Sequence, residues 1–153
     1  MTNESTAKLL LDKYFDKLPG ALLNFQFIEE SLRMYIAYCY EIISKRVSEL
    51  IPFKYRYQDL KKDSLGRLLN KFKKLNNNER LIDKIEKLVE DRNYCAHEAY
   101  LLTYEKQNDP DYLTKELAKL ENIINEAKEC VQLLFSEVKK IEERKSRKGK
   151  IVP

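Results

Sequence analysis

Two residues of this chain stand out for the chemistry they could support: Arg92 and the only histidine, His97. Arginine binds phosphate oxygens through paired hydrogen bonds and stabilises the extra negative charge of a transition state. Histidine titrates near neutrality and can accept a proton from a ribose 2′-hydroxyl. This pair therefore suits the cleavage of a phosphodiester without a metal ion.

A single long helix, predicted over residues 79–104, must position this pair. Arg92 occupies a core-facing position of that helix. Burying a guanidinium there costs folding free energy unless it is paired, so its presence indicates either an ion pair or a function. Each helical residue advances by about 100°, so His97 is expected about 140° round the helix from Arg92. Asn93 and Tyr100 are expected at angles between those of Arg92 and His97 round the same helix. We interpret Arg92, Asn93 and His97 as catalytic residues and Tyr100 as an auxiliary residue.

Two acidic residues and a second subunit complete this interpretation. Glu29 and Glu30 lie on a helix expected to neighbour Arg92 and are candidates to orient its guanidinium, although a solvated pair is equally compatible. Cleavage needs an acid as well as a base, and one histidine per chain provides only one of them. A homodimer with two facing copies of His97 would provide both. In the alternative interpretation, Arg92 is merely ion-paired and His97 is an ordinary surface residue.

The composition favours helices, because the chain of 153 residues contains only three glycines and four prolines. The spacing of apolar residues predicts an all-α fold, an antiparallel up-down bundle of three long helices with one or two short ones. Residues 1–145 are expected to form one domain and residues 146–153 a basic, disordered tail. The predicted helices are Thr6–Lys17, ended by Pro19-Gly20; Ala21–Leu50; a short helix capped by Asp63 or Ser64 and running to Leu75; Glu79–Tyr104; and Pro110–Lys145, capped by Asp109.

The last predicted helix carries a sustained heptad seam, in which apolar residues recur at alternating steps of four and three. Such a seam packs along a helix of the same chain or pairs with another chain. Pairing with another chain would make the protein a helical assembly protein, which is a third interpretation of its function. The seam consists of Leu113, Leu117, Leu120, Ile124, Ala127, Val131, Leu134, Val138 and Ile141.

Basic residues are concentrated in two segments, although the formal net charge is only +4. Residues 52–75 carry a net charge of +6 and residues 139–150 carry +5. Such segments could attract a polyanion such as RNA, or simply form solvated surfaces. Rings that stack on bases and cations that meet phosphates make one short strip a candidate RNA-binding segment. A loop pinned by its aromatic rings is the alternative. The strip comprises Lys54, Tyr55, Arg56 and Tyr57.

The cysteines and the first residues of the sequence indicate which cofactors and which cellular compartment to expect. The three cysteines are widely spaced, and one histidine cannot complete a usual zinc site. We therefore expect no metal and no cofactor, and reduced core thiols in a cytoplasmic protein. No segment has the roughly 18 apolar residues of a membrane span, and the polar start does not resemble a signal peptide. We expect no membrane partner.

The segment Arg92-Asn93-Tyr94-Cys95-Ala96-His97 resembles the Arg-x(4–6)-His motif of HEPN domains, including a polar residue after the arginine. The order of the helices and the segment 64–69 are similar to bacterial members of that superfamily. The resemblance implies a dimeric helical bundle that cleaves RNA without a metal at paired Arg and His residues. It also implies a toxin or antiphage effector, in some members beside a nucleotidyltransferase antitoxin.

The resemblance has one departure and leaves one alternative. HEPN toxins controlled by such an antitoxin often carry a modified tyrosine two residues after the histidine, where this chain has Ala99 and only then Tyr100. The strongest alternative to a ribonuclease is a noncatalytic HEPN-like module that binds RNA, a nucleotide or a protein partner.

Overall fold

The computed structural model describes residues 2–147, and for residues 102 and 103 only the backbone. Over this range the secondary structure is entirely helical, without a strand, so the predicted all-α class is confirmed. Most of the predicted tail, residues 148–153, lies outside the described range. The helices are α1 (Asn3–Val47), α2 (Tyr57–Lys61), α3 (Leu65–Lys73), α4 (Glu79–Asn93), α5 (Ala99–Glu105) and α6 (Pro110–Ser146), with a π-helical turn, Tyr94–Glu98, between α4 and α5.

The first long helix corrects a prediction, because α1 runs through Pro19 and Gly20 without a break. Both residues are exposed, and no glycine of the described chain has the positive φ that would end a helix. The buried positions keep one heptad register across this point, from Tyr14 through Ala21 to Ile28. A proline here removes one backbone hydrogen bond, whereas a break would interrupt a continuous buried stripe.

Gly20 offers a direct test of this continuous helix. A Cβ atom at this position would meet nothing within 4 Å. Gly20→Ala is therefore expected to stabilise the protein by about 0.5–1 kcal/mol, because alanine loses less backbone entropy in a helix interior. Urea denaturation monitored by circular dichroism measures this change. A decrease in stability would instead indicate that the chain needs the freedom of glycine at this point.

Two predicted helix caps are present, and one short helix was missed. The Ser64 side chain accepts a hydrogen bond from the Arg67 N–H at 3.4 Å and begins α3. The Asp109 side chain accepts one from the Tyr112 N–H at 3.1 Å, with Pro110 at the first position of α6. The missed helix, α2, begins within the predicted connection at residues 53–58. It has only five residues and is held by the buried side chain of Leu60.

The chain divides into two compact units. Unit 1 comprises residues 1–26 and 87–129, and unit 2 comprises residues 27–86 and 130–153. The helices α1, α4 and α6 each contribute residues to both units. The motif Arg92–His97 lies in unit 1, and the strip at residues 54–57 lies in unit 2.

The heptad seam of α6 is largely buried in the single chain. Seven of its nine positions are buried, and Leu117 and Ile124 are half-buried. A seam that is already covered is not free to pair with a second chain, which weakens the interpretation as a seam-driven assembly protein. The three cysteines are also buried and unbridged. No helix of residues 2–147 has the length and apolar character needed to cross a bilayer.

Candidate active site

The motif Arg92–His97 was predicted to lie on one straight α-helix, and the structure shows that it does not. The α-helical pattern ends at Asn93, and the Ala99 N–H donates its hydrogen bond to the Tyr94 carbonyl, five residues back. Such π-helical turns are rare and occur frequently at functional sites. This turn spans Tyr94–Glu98 and so contains the histidine of the motif.

The π turn changes the expected angle between the two key side chains. On a straight α-helix, the side chains of two residues five positions apart point in directions about 140° apart. A turn closed by a bond to the fifth residue back contains more residues, so each of them rotates by less than 100°. His97 therefore lies closer to the face of Arg92 than the straight helix predicted. His97 and Asn93 are exposed and Arg92 is half-buried, so the three remain candidates for one accessible polar surface.

Tyr94, which was not among the predicted site residues, anchors the π turn from inside unit 1. Its ring is buried, and its hydroxyl donates a hydrogen bond to the Glu116 carboxylate. The hydroxyl of Tyr14, itself fully buried, lies 3.3 Å from the Tyr94 hydroxyl. Since the Tyr94 proton points to Glu116, Tyr14 donates to Tyr94. The Lys119 ammonium lies 3.7 Å from the centroid of the Tyr94 ring.

The surroundings of Tyr94 keep it neutral. Burial, followed by the hydrogen bond to Glu116, strongly raises the pKa of its hydroxyl. Burial also raises the pKa of the Cys95 thiol to about 11, which makes it a poor nucleophile. The pKa of the neighbouring Asp91 is raised by burial as well, partly offset by Lys87 and Lys119. Tyr94 and Cys95 are therefore poor nucleophiles, and the exposed polar residues of the motif remain the candidates for the chemistry.

Tyr100 lies on α5 with its ring largely in solvent, since 62% of its surface is exposed. One side of the ring contacts Phe15 of α1, at 5.8 Å between centroids. Tyr104, one turn further along α5, stacks against Tyr100 at 6.5 Å with an interplanar angle of 16°. An exposed pair of rings beside His97 can stack on a nucleobase. The auxiliary role of Tyr100 stays a prediction, and Tyr104 is added as a candidate.

The other predicted site residues lie in unit 2. Glu29 and Glu30 both pair there with Arg33, at 3.5 and 3.3 Å. The Tyr57 hydroxyl also donates to Glu30. That either carboxylate orients Arg92, which belongs to unit 1, stays a prediction.

The basic and aromatic strip uses its rings within unit 2. The Tyr55 ring packs against Tyr40 at 5.7 Å, with Phe53 beside both. Tyr55 and Tyr57 are half-buried, whereas Lys54 and Arg56 are exposed. Arg56 pairs with Asp59 at 3.2 Å. This geometry favours the alternative of a loop pinned by its rings over stacking on RNA bases.

Comparison of the chain with protein-family models, with curated proteins and with solved structures finds no match. The motif at residues 92–97, on and beside the π turn, is therefore the main functional candidate of the chain.

Proposed function

We propose that the protein is a metal-independent endoribonuclease of the HEPN type that acts as a toxin or antiphage defence effector. The observation that carries this proposal is the π turn Tyr94–Glu98, which is anchored by a buried tyrosine and contains the exposed His97, five residues after Arg92. The substrate class is single-stranded or looped RNA, whose bases are accessible.

The reaction is an attack by a ribose 2′-oxygen on the adjacent phosphorus. His97 accepts the proton of the 2′-hydroxyl, the new O–P bond forms, and the bond from phosphorus to the 5′-oxygen breaks. The leaving 5′-oxygen receives a proton from an acid, and the products are a 2′,3′-cyclic phosphate and a 5′-hydroxyl. Arg92 binds the phosphate oxygens and stabilises their added negative charge, while Asn93 positions one of these groups.

A second copy of the chain supplies the acid in this proposal. Each chain has one histidine, so a symmetric dimer brings a second His97 to a composite cleft. We propose an antiparallel HEPN-like bundle as the fold that builds this dimer. An antitoxin or defence-system protein is the expected regulatory partner. Because residue 99 is alanine, tyrosine modification at that position by a nucleotidyltransferase does not apply here.

The second candidate function is a noncatalytic HEPN-like module that binds RNA, a nucleotide or a protein. The observation that favours a protein partner is the apolar exposure on α5. Tyr100, Leu101 and Tyr104 expose 60–62% of their surfaces. Adjacent apolar groups with this exposure are typical of interaction sites.

RNA cleavage in EDTA distinguishes these functions. Purified protein is incubated with a labelled RNA and with the same sequence carrying 2′-deoxyribose throughout. The ribonuclease is expected to cut only the RNA and to leave 2′,3′-cyclic phosphate ends, because the 2′-hydroxyl is the nucleophile. Intact RNA that is nevertheless bound would support the noncatalytic module. Cleavage of the deoxy strand, or a requirement for a divalent metal, would contradict the proposed mechanism.

A further inference from the structure

The two units differ in charge. Unit 1, which contains the motif Arg92–His97, has nine basic and thirteen acidic residues in its sequence. Unit 2 has twenty basic and twelve acidic residues. A polyanion is therefore attracted to unit 2 and repelled by the overall charge of unit 1. The basic surfaces of unit 2 are therefore candidates to bind further phosphates of an RNA.

The helix α3 of unit 2 is strongly amphipathic, with an apolar side and a basic side. Its apolar side is buried through Leu65, Leu68, Leu69 and Phe72. Its opposite side carries Arg67, Asn70, Lys71 and Lys74, which fall within an arc of about 100° at 100° per residue. No acidic residue occurs between positions 64 and 78. Like charges three or four residues apart on one helix face destabilise the helix slightly, and a bound anion offsets this repulsion.

Acidic neighbours neutralise only part of this surface. Lys71 pairs with Asp63, and Lys73 pairs with Glu86 at 2.8 Å. Arg67 and Lys74 are exposed, and neither takes part in an ion pair among residues 2–147. These two side chains, Arg67 and Lys74, constitute the basic face of α3.

We propose that the basic face of α3 binds the phosphates of single-stranded RNA, the substrate class of the proposed ribonuclease. Arg67 and Lys74 are seven residues apart on one side of the helix, or about 10 Å at 1.5 Å per residue. Two cations at this separation can contact different phosphates of one strand. A basic amphipathic helix can also bind an anionic membrane, but that mode inserts the apolar side of the helix into lipid. Here that side is buried in unit 2.

This inference takes its ligand from the proposed function, but its site is separate from the catalytic motif. Its test therefore measures binding without cleavage. The probe is a labelled 2′-O-methyl RNA of mixed sequence, which has no free 2′-hydroxyl and cannot be cut by 2′-oxygen attack. Fluorescence anisotropy gives the affinity of the full chain at several salt concentrations.

The test variant is Arg67→Gln with Lys74→Gln, and the matched control is Lys8→Gln with Lys13→Gln. The control removes the same charge from exposed positions of α1 in unit 1. Each lost phosphate contact on a single strand lowers the slope of log affinity against log salt by about 0.7. We therefore expect the slope to decrease by about 1.4 in the test variant and to stay unchanged in the control. Circular dichroism melting verifies that both variants fold.

The outcomes separate this inference from the proposed function. A slope that is unchanged in the test variant, or that decreases equally in the control, would overturn the basic face as the phosphate site. So would a test variant that loses binding to vesicles of phosphatidylcholine and phosphatidylserine but keeps its RNA affinity. If the slope decreases as expected but wild-type protein does not cut unmodified RNA, the RNA-binding face stands and the ribonuclease proposal fails.

Discussion

Replacing His97 by alanine is expected to reduce the single-turnover rate of RNA cleavage in EDTA by about 10²–10⁴-fold, the usual contribution of a general acid or base. Because the imidazole is exposed in the folded chain, its removal leaves no cavity. The thermal midpoint should therefore remain close to that of the wild type. A quench-flow or gel assay with protein in excess over labelled RNA gives the rate of the chemical step without interference from product release.

Arg92 is expected to respond differently to two substitutions at the same position. Arg92→Ala removes the charge that stabilises the phosphate and should cost about 10²–10³-fold in rate. Arg92→Lys keeps the charge but loses the paired geometry of the guanidinium, so only part of the activity should return. Arg80→Ala, at an exposed position of the same helix α4, is the matched control and should retain full activity.

Two results would contradict the assignment of the motif. Cleavage that survives both His97→Ala and Arg92→Ala would place the chemistry elsewhere or identify a contaminating nuclease. Equal losses in Arg80→Ala would point to a general effect of charge on RNA binding. Sedimentation equilibrium at the assay concentration provides a further check, because a composite site requires a dimer.

The second large effect is expected at Tyr94, which the structure identifies as the anchor of the π turn. Tyr94→Phe keeps the ring below Lys119 but removes the hydroxyl that links Tyr14 to Glu116. The hydrogen bond from Tyr94 to the Glu116 carboxylate is then lost, at a cost of about 1.5–3 kcal/mol, the usual contribution of a bond to a charged group. For a chain of this size, the melting temperature falls by about 2–4 °C per kcal/mol.

The single histidine makes the local consequence measurable. His97 is the only imidazole in the chain, so its ring gives one unambiguous NMR signal. If Tyr94 holds the π turn, Tyr94→Phe should shift this signal and lower the cleavage rate under conditions where the protein is still folded. Tyr112→Phe makes the same change at a half-buried tyrosine of α6 and should leave melting temperature, signal and rate close to wild type. A Tyr94→Phe variant that melts earlier with an unchanged His97 signal would restrict Tyr94 to a purely structural role.

Local signals predicted the starts of two helices, α3 and α6, correctly. Ser64 and Asp109 cap helices through hydrogen bonds to backbone N–H groups only three residues away, so their effect is contained in a few neighbouring residues. The same local reasoning failed at Pro19-Gly20. That pair often ends a helix, but here the buried stripe continues on both sides of it, and the burial of Tyr14, Ala21 and Ile28 in one register overrides the local preference.

At the candidate site, the amino-acid sequence by itself determined the chemistry: which side chains can bind phosphate, which can move a proton, and how many residues separate them. Their angle depended on tertiary structure. Periodicity assumes a constant 100° per residue, whereas Tyr94 and Cys95 both become buried where the helix widens into a π turn. That turn is held by Tyr14 and Glu116, from segments 80 residues before and 22 residues after Tyr94. A contact over such distances leaves no periodic signal along the chain, so only the folded structure could decide how His97 is oriented relative to Arg92.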